Sequence, residues 1–376
     1  MRHGLACAVG AVACGILALG GCASGGGLAA PSVSERLGVL EQRLAADTND
    51  PTGYYNYAMG LWSRREYDRA DTALRQAVAL DPEFALAHLA IALVQLPNDA
   101  HWKGIRRAGG DTALAEEARY REREYTHAFM IDPFLDVRAL GLFRESYEDE
   151  YRDLTNVMHI LRDRRGIARD SLAAPLLWLH SLAAARSNHL AEAITDVQAL
   201  ARVSRRRDLS STVSAAPLVT NNYLYVLAAL LQRTGHVDDA THLYIEVLTA
   251  DLANYEAHVQ LARIYEAAKD WGHALEQRRA AIEVYPENHC LVMDLGVTQY
   301  HAGSLADAEG SLRDARDAGP RDWRVYYWLG MVQQARSEKA DARAAFESFL
   351  RLAPARDSVH IADVRRQVAA LRPEAR

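Results

Sequence analysis

Apolar and small residues recur in the C-terminal half of the chain with a fixed period of 34 residues. Leu227, Leu261, Leu295 and Leu329 are spaced by this interval, and a small residue follows each leucine directly and again twelve positions later. A fixed period of this length indicates a repeat architecture in which each copy is one supersecondary unit. The small residues are Ala228, Ala262, Gly296 and Gly330, then Ala240, Ala274, Ala308 and Ala342.

Each copy has the pattern of two helices joined by a short turn. In the first helix of one copy, Leu224, Leu227 and Leu231 fall at helical spacing, so one apolar stripe faces a partner helix. The turn 234–236 contains Gly235, and glycine tolerates the left-handed conformation that ends a helix. Three copies end on a proline, which stops the second helix because it lacks an amide donor. The large residues that fill the helix crossing are Tyr244, Leu312 and Phe346. The prolines that end the three copies are Pro286, Pro320 and Pro354.

This pattern of small, large and proline positions resembles the tetratricopeptide repeat. The resemblance implies an all-α fold, a right-handed superhelical solenoid of helix hairpins. Four regular copies occupy 221–356, and an N-terminal array occupies 33–202. Within that array we predict an inserted loop at 97–110 and a degenerate helical repeat at 136–170. A capping helix is expected at 357–376, because terminal units of a solenoid need a polar cover.

The stretch 203–220 interrupts the period and is rich in Ser and Arg. We predict a linker here. It either joins two sub-arrays through a bend or forms a locally irregular repeat.

The N-terminus has the composition of a secretory signal over residues 1–21, with one early arginine and a short apolar run. Leu19-Gly20-Gly21-Cys22 resembles the lipobox of bacterial lipoproteins, which implies an acyl (palmitate) anchor on Cys22 and a flexible tether over 22–32. Ala23 rather than Asp follows, which in that family indicates the periplasmic side of the outer membrane. An ordinary signal peptide or a buried N-terminal helix are the alternatives.

Charge and cysteine content exclude few functions. Acidic residues exceed basic ones, 49 to 43, which argues against a nucleic-acid partner because phosphate neutralisation needs a basic surface.

Once the signal is removed and Cys22 is acylated, only Cys290 is left, so we expect no internal disulfide.

No catalytic signature is found, so the sequence predicts a chain that is not an enzyme and needs no cofactor or metal. His236 and His242 are six apart and straddle a turn, which does not place both rings on one helical face. An acidic cluster between Glu145 and Asp153 is most simply a solvated helix face. It also supports the alternative, an accessory enzyme of envelope glycan processing with its site in 97–170.

In the tetratricopeptide family the concave wall comes from the first helix of each unit, at positions two, five, nine and twelve. The resemblance therefore implies a partner-binding groove whose aromatic and Met side chains face solvent and bind the apolar face of a helix or extended segment. Ordinary burial of these side chains is the alternative, and Trp102 is a second candidate contact. The groove residues are Tyr225, Val259, Arg263, Met293, Val297, Tyr300, Tyr327 and Met331.

Together these features predict a non-enzymatic scaffold lipoprotein that binds other envelope proteins. The family analogues assist pilus or secretin assembly, or recruit cell-wall hydrolases, and the sequence does not choose between them. A lipid anchor would concentrate the scaffold near its partners.

Overall fold

The computed structural model describes residues 33–135, 147–165, 168–169, 172, 174–208, 216–354 and 357–371. Among these residues there are seventeen α-helices and no strand, so the all-α prediction is confirmed. In chain order they are α1 Val33–Ala46, α2 Pro51–Ser63, α3 Tyr67–Leu80, α4 Ala85–Val94, α5 Asp99–Ile131, α6 Tyr147–Arg165, α7 Ala174–Arg186, α8 Leu190–Asp208, α9 Ala216–Arg233, α10 Val237–Ala250, α11 Tyr255–Ala267, α12 Trp271–Val284, α13 His289–His301, α14 Leu305–Ala318, α15 Trp323–Ala335, α16 Lys339–Leu352 and α17 Ser358–Ala370.

The chain divides into two compact units, and the division does not fall at the predicted linker 203–220. The first unit combines Met1–Phe143 with Gly303–Arg376, and the second is Arg144–Ala302. Of the predicted linker 203–220, residues 203–208 belong instead to α8 and 216–220 to α9, which packs against α8 inside the second unit, while 209–215 lies outside the described residues. Arg205 of this basic stretch forms an ion pair with Glu246 of α10.

The first stretch of the first unit holds α1 to α5 around a core of small and branched side chains, among them Ala58, Leu61 and Leu74. The predicted inserted segment 97–110 is helical rather than a loop, since α5 begins at Asp99, and Gly110, with φ 67° and ψ −154°, breaks this helix at the predicted end of the insertion. Asn98 caps this helix by accepting from the amide of His101, and the Trp102 indole N–H donates to the Gln95 carbonyl at 2.8 Å. Trp102 therefore anchors its own segment.

The second stretch of the first unit holds α14 to α17. Gly330 on α15 is required for a close approach, because an added Cβ would lie 2.4 Å from the Phe346 ring on α16. The expected capping helix is present as α17, and it buries Val364 against Phe346 and Phe349.

Polar contacts join the two stretches of the first unit across most of the sequence. The Arg321 guanidinium donates to Asn49 Oδ1 at 2.9 Å and also to the carbonyl of Thr48. Arg324 lies 3.3 Å from Asp81 Oδ1. The first repeat and the last repeat are therefore parts of one packed body.

The second unit holds α6 to α13, each packed on the next along the chain. In the predicted degenerate repeat 136–170 the structure describes one long helix, α6, while 136–146 lies outside the described residues. Residues 1–32, with the predicted signal, the tether and Cys22, lie outside them too. Of the helices described, none combines the length and the apolar character that crossing a bilayer requires.

The turns within the regular repeats share one backbone conformation. Gly235 and Gly303 have φ of 83° and 84°, the left-handed region predicted for these glycines. Lys269 and Ser337 occupy the same repeat position with φ of 59° and 66°. Residues with a Cβ adopt this backbone region at an energetic cost. The repeat therefore keeps the same turn conformation at Lys269 and Ser337, although neither residue favours it.

Candidate functional site

Three of the four predicted groove residues at position five do not face solvent. Tyr225, Val259 and Met293 are 2%, 1% and 6% exposed. The Tyr225 ring packs against Tyr244 of α10, with ring centroids 5.8 Å apart. The expected exposed apolar stripe is therefore wrong at these positions, because the neighbouring helices cover them.

The two groove residues predicted in the first unit are half-buried for a different reason. Tyr327 lies with its ring centroid 5.8 Å from that of Phe349 and 5.5 Å from that of His360. Tyr327 and Met331 both pack on the cluster that the capping helix completes through Val364. These side chains hold the C-terminal helix in place.

Two of the predicted residues, Arg263 and Val297, do line a cleft in the second unit. We call it the groove cleft; it has a volume of about 480 Å³ and lies between α11, α12 and α13. Arg263 is exposed, and Val297 and Tyr300 are half-buried. Trp271 and His301 form an aromatic side of the cleft with rings nearly parallel, 6.3 Å between centroids. The lining residues are Arg263, Glu266, Ala267, Trp271, Arg278, Asp294, Val297, Thr298 and His301.

Arg278 is the buried centre of the groove cleft, with a side chain only 5% exposed. Its Nε and one terminal nitrogen donate to the two carboxylate oxygens of Glu266 at 3.0 and 3.2 Å. The other terminal nitrogen donates to Asp294 at 2.8 Å, and the Thr298 hydroxyl donates to Glu266 at 2.5 Å. This is bidentate pairing, the strong form of a charge-assisted hydrogen bond.

The electrostatics of the groove cleft follow from this network. Burial by itself would lower the pKa of Arg278, but the charge of Asp294 and the hydrogen bond to Glu266 outweigh it and raise that pKa. Since Arg278 engages both carboxylates, Arg263 supplies the positive charge that the cleft offers to a ligand. The cleft can therefore take an apolar group beside a carboxylate.

Sequence reasoning missed Arg278, although the repeat contains a signal for it. The same repeat position is occupied by Tyr244, Leu312 and Phe346 in the other three copies, and all three are fully buried. An arginine at a position that is otherwise large and apolar predicts a buried charge, and a buried charge needs carboxylate partners.

The acidic cluster behind the enzyme alternative is mostly solvated where the structure describes it. The side chains of Glu148 and Asp149 are 52% and 65% exposed. Glu148 lies 3.3 Å from His189, while Glu145 lies outside the described residues. This matches a solvated helix face.

Comparison with known families identifies the repeat. Residues 55–101, 225–289, 270–320 and 293–357 match the family model described as tetratricopeptide repeat. Residues 55–101 and 225–357 therefore consist of tetratricopeptide repeats. Repeats of this family indicate a protein-interaction scaffold.

Solved tetratricopeptide structures are similar to parts of the chain. MamA from Desulfovibrio magneticus RS-1 is 18% identical over 49% of this chain and 97% of its own, with a TM-score of 0.42. The C-terminal part of a TPR repeat-containing protein from Cytophaga hutchinsonii is 14% identical over 61% of this chain and 95% of its own, also with a TM-score of 0.42. None of the curated proteins matches the chain.

Proposed function

We propose that this protein is a lipid-anchored scaffold of the bacterial envelope that holds another envelope protein through the groove cleft. The exposed Arg263 beside an apolar and aromatic wall is the observation that carries the binding role. The sequence Leu19-Gly20-Gly21-Cys22 supports the lipid anchor and the outer membrane. Anchoring would raise the effective concentration of the scaffold near its partner without new contacts.

The cleft favours a partner segment with two chemical features. A carboxylate, from Asp, Glu or a C-terminus, would pair with Arg263, and an apolar side chain would pack on Val297 and Trp271. Arg263 and Arg278 together balance the formal charges of Glu266 and Asp294, so these residues leave the cleft without a net negative charge that would repel such a ligand. Assembly of pili or secretins and recruitment of cell-wall enzymes both require a scaffold of this kind.

A photo-crosslinking residue at Val297 tests the binding role in cells. We expect a specific crosslinked protein, identified by mass spectrometry, that disappears when Arg263→Glu is added. Arg279→Glu is the matched control, since Arg279 is exposed on α12 and lies outside the cleft lining.

Once the partner is identified, binding measurements with purified proteins give the contribution of Arg263 to the affinity. Reversing the charge at Arg263 should weaken binding by about tenfold or more, the effect of removing a close charge pair at an interface. Equal affinity of the Arg263→Glu and Arg279→Glu variants would overturn the assignment of the cleft. The partner's identity would also decide between the pilus or secretin role and the cell-wall role.

The lipid anchor has a separate test. Metabolic labelling with an alkyne fatty acid should tag the wild type and the Cys290→Ala control, in which a buried thiol of α13 is removed. Cys22→Ala should lose the tag and leave the outer-membrane fraction on density-gradient separation. A tag that persists in Cys22→Ala would contradict acylation at that residue.

A further inference from the structure

A second cleft of the second unit contains a row of three polar side chains that the scaffold role does not use. We call it the polar pocket; its volume is about 330 Å³ and it lies where α6, α7 and α8 meet. His180 of α7 and Asp196 of α8 are 1% and 0% exposed, and Thr155 of α6 is half-buried. The lining residues are Thr155, Met158, His159, Arg162, Arg169, Leu172, His180 and Glu192.

The three side chains are connected end to end by hydrogen bonds. His180 Nδ1 donates to Asp196 Oδ2, because an ionised carboxylate can only accept. In the neutral imidazole the other nitrogen, Nε2, then carries a lone pair, and it lies 2.9 Å from the Thr155 hydroxyl oxygen. The Thr155 hydroxyl can therefore donate its proton to His180.

This order of hydroxyl, imidazole and carboxylate is the arrangement that activates a nucleophile in acyl-transfer enzymes. We propose that the polar pocket is a hydrolytic site for esters of small carboxylic acids, with Thr155 as nucleophile, His180 as general base and acid, and Asp196 as the residue that orients His180. The proposal goes beyond the scaffold function, and of its three residues only Thr155 lies in the region 97–170, outside the acidic cluster there.

The reaction balances with groups that the pocket contains. The Thr155 oxygen attacks the ester carbonyl carbon while its proton passes to His180 Nε2, and the carbonyl electrons move to the oxygen. As the carbonyl re-forms, the bond to the alcohol breaks and the alcohol leaves with the proton from His180. A water molecule then attacks the acyl-threonine, gives a proton to His180, and releases the acid as the Thr155 oxygen takes that proton back.

The surroundings of the row fit this chemistry. Arg169 lines the pocket and its Nε lies 3.4 Å from Asp196 Oδ1, so its guanidinium favours the ionised carboxylate that orients His180. Asp196 Oδ1 is buried and accepts no hydrogen bond within the described part of the chain. The other oxygen, Oδ2, contacts His180 Nδ1 and stabilises the imidazolium when it forms.

Two features define the expected substrate and rate. Met158 and Leu172 give the pocket an apolar wall that suits a short acyl group. The Tyr151 carbonyl lies 2.7 Å from the Thr155 oxygen and competes with His180 for the hydroxyl proton. Only part of the molecules therefore has the proton aligned for transfer, and turnover should be slow.

Hydrolysis of p-nitrophenyl acetate by the full chain tests the proposal. We expect saturable release of p-nitrophenol and, after rapid quenching, one acetyl group on the peptide that contains Thr155. Thr155→Val should reduce the rate by on the order of a hundredfold, the contribution of positioned acid–base catalysis. Thr155→Ser should retain the activity, because serine supplies the same hydroxyl.

Thr195→Val is the matched control, since Thr195 is an exposed helical threonine that donates to its own i−4 carbonyl at 2.8 Å. Its rate should equal that of the wild type, and circular dichroism should show equal helix content in all variants. Background acylation is easily recognised, because the chain has only three lysines, Lys103, Lys269 and Lys339. A wild-type rate in Thr155→Val, or acetyl groups only on lysines, would overturn the proposal.

Discussion

The groove cleft and the polar pocket are both lined by three helices of the second unit, yet their buried charges do different things. In the groove cleft, all three guanidinium nitrogens of Arg278 donate to Glu266 or Asp294, so the network is closed. In the polar pocket, the row that begins at Asp196 ends on the Thr155 hydroxyl in the pocket wall. A closed set of charges positions helices, whereas an open row can move a proton to or from a ligand.

The largest expected effect comes from opening the closed network. Arg278→Leu should lower the free energy of unfolding by about 2–3 kcal/mol, because two half-buried carboxylates lose their common partner. Urea unfolding followed by circular dichroism measures the loss. Arg279→Leu, on the exposed side of the same helix, should change stability by less than about 0.5 kcal/mol.

A triple variant shows whether the closed network is purely structural. Adding Glu266→Gln and Asp294→Asn to Arg278→Leu removes the charges together, and glutamine is the residue found at the first position in two other copies, Gln232 and Gln334. Most of the lost stability should return, since replacing a whole buried ion network by neutral groups is often close to neutral. No recovery would mean that Arg278 stabilises the fold by other contacts.

A smaller loss is expected in the polar pocket. Asp196→Asn keeps an acceptor for His180 Nδ1 but removes the negative charge, so the free energy of unfolding should fall by about 1–2 kcal/mol. The same urea experiment applies, with Asp153→Asn on the exposed face of α6 as the reference. A loss as large as that of Arg278→Leu would make the row a structural network and erase the distinction between the two clefts.

The smallest effect lies at a turn beside the groove cleft and has the opposite sign. Lys269→Gly should stabilise the protein by about 0.5–1 kcal/mol, because the left-handed strain at φ 59° exceeds the extra entropy that glycine loses. Gly235→Ala, at the equivalent turn, should destabilise by a similar amount. Thermal unfolding of the two variants compares them, and the same sign for both would disprove a common turn geometry.

The repeat period predicts the helices and their turns because every copy carries the same spacing of small, large and glycine positions. It does not predict exposure at position five, since burial of Tyr225 depends on how Tyr244 of the next helix packs on it. The loop predicted at 97–110 is wrong for a related reason. The helix there begins with a cap from Asn98, a local signal outside the repeat pattern.

The two clefts differ in how far the sequence predicts them. Arg278 interrupts an apolar repeat position and is visible in the period, as is Arg263 on the first helix of its copy. Thr155, His180 and Asp196 lie on α6 to α8, where the repeat signature is weak or missing, and they are separated by 25 and 16 residues. Only the packing of three helices brings them into one row.

The contacts of Arg321 and Arg324 with Thr48, Asn49 and Asp81 have a consequence for biosynthesis. The second unit is one continuous stretch and can assemble as soon as residue 302 has left the ribosome. The first unit is completed only after Gly303–Arg376 has been synthesised. Until then, part of the surface of α1 to α5 is uncovered. Chaperones that shield such intermediates should therefore act on the N-terminal helices for longer than on the helices that follow them.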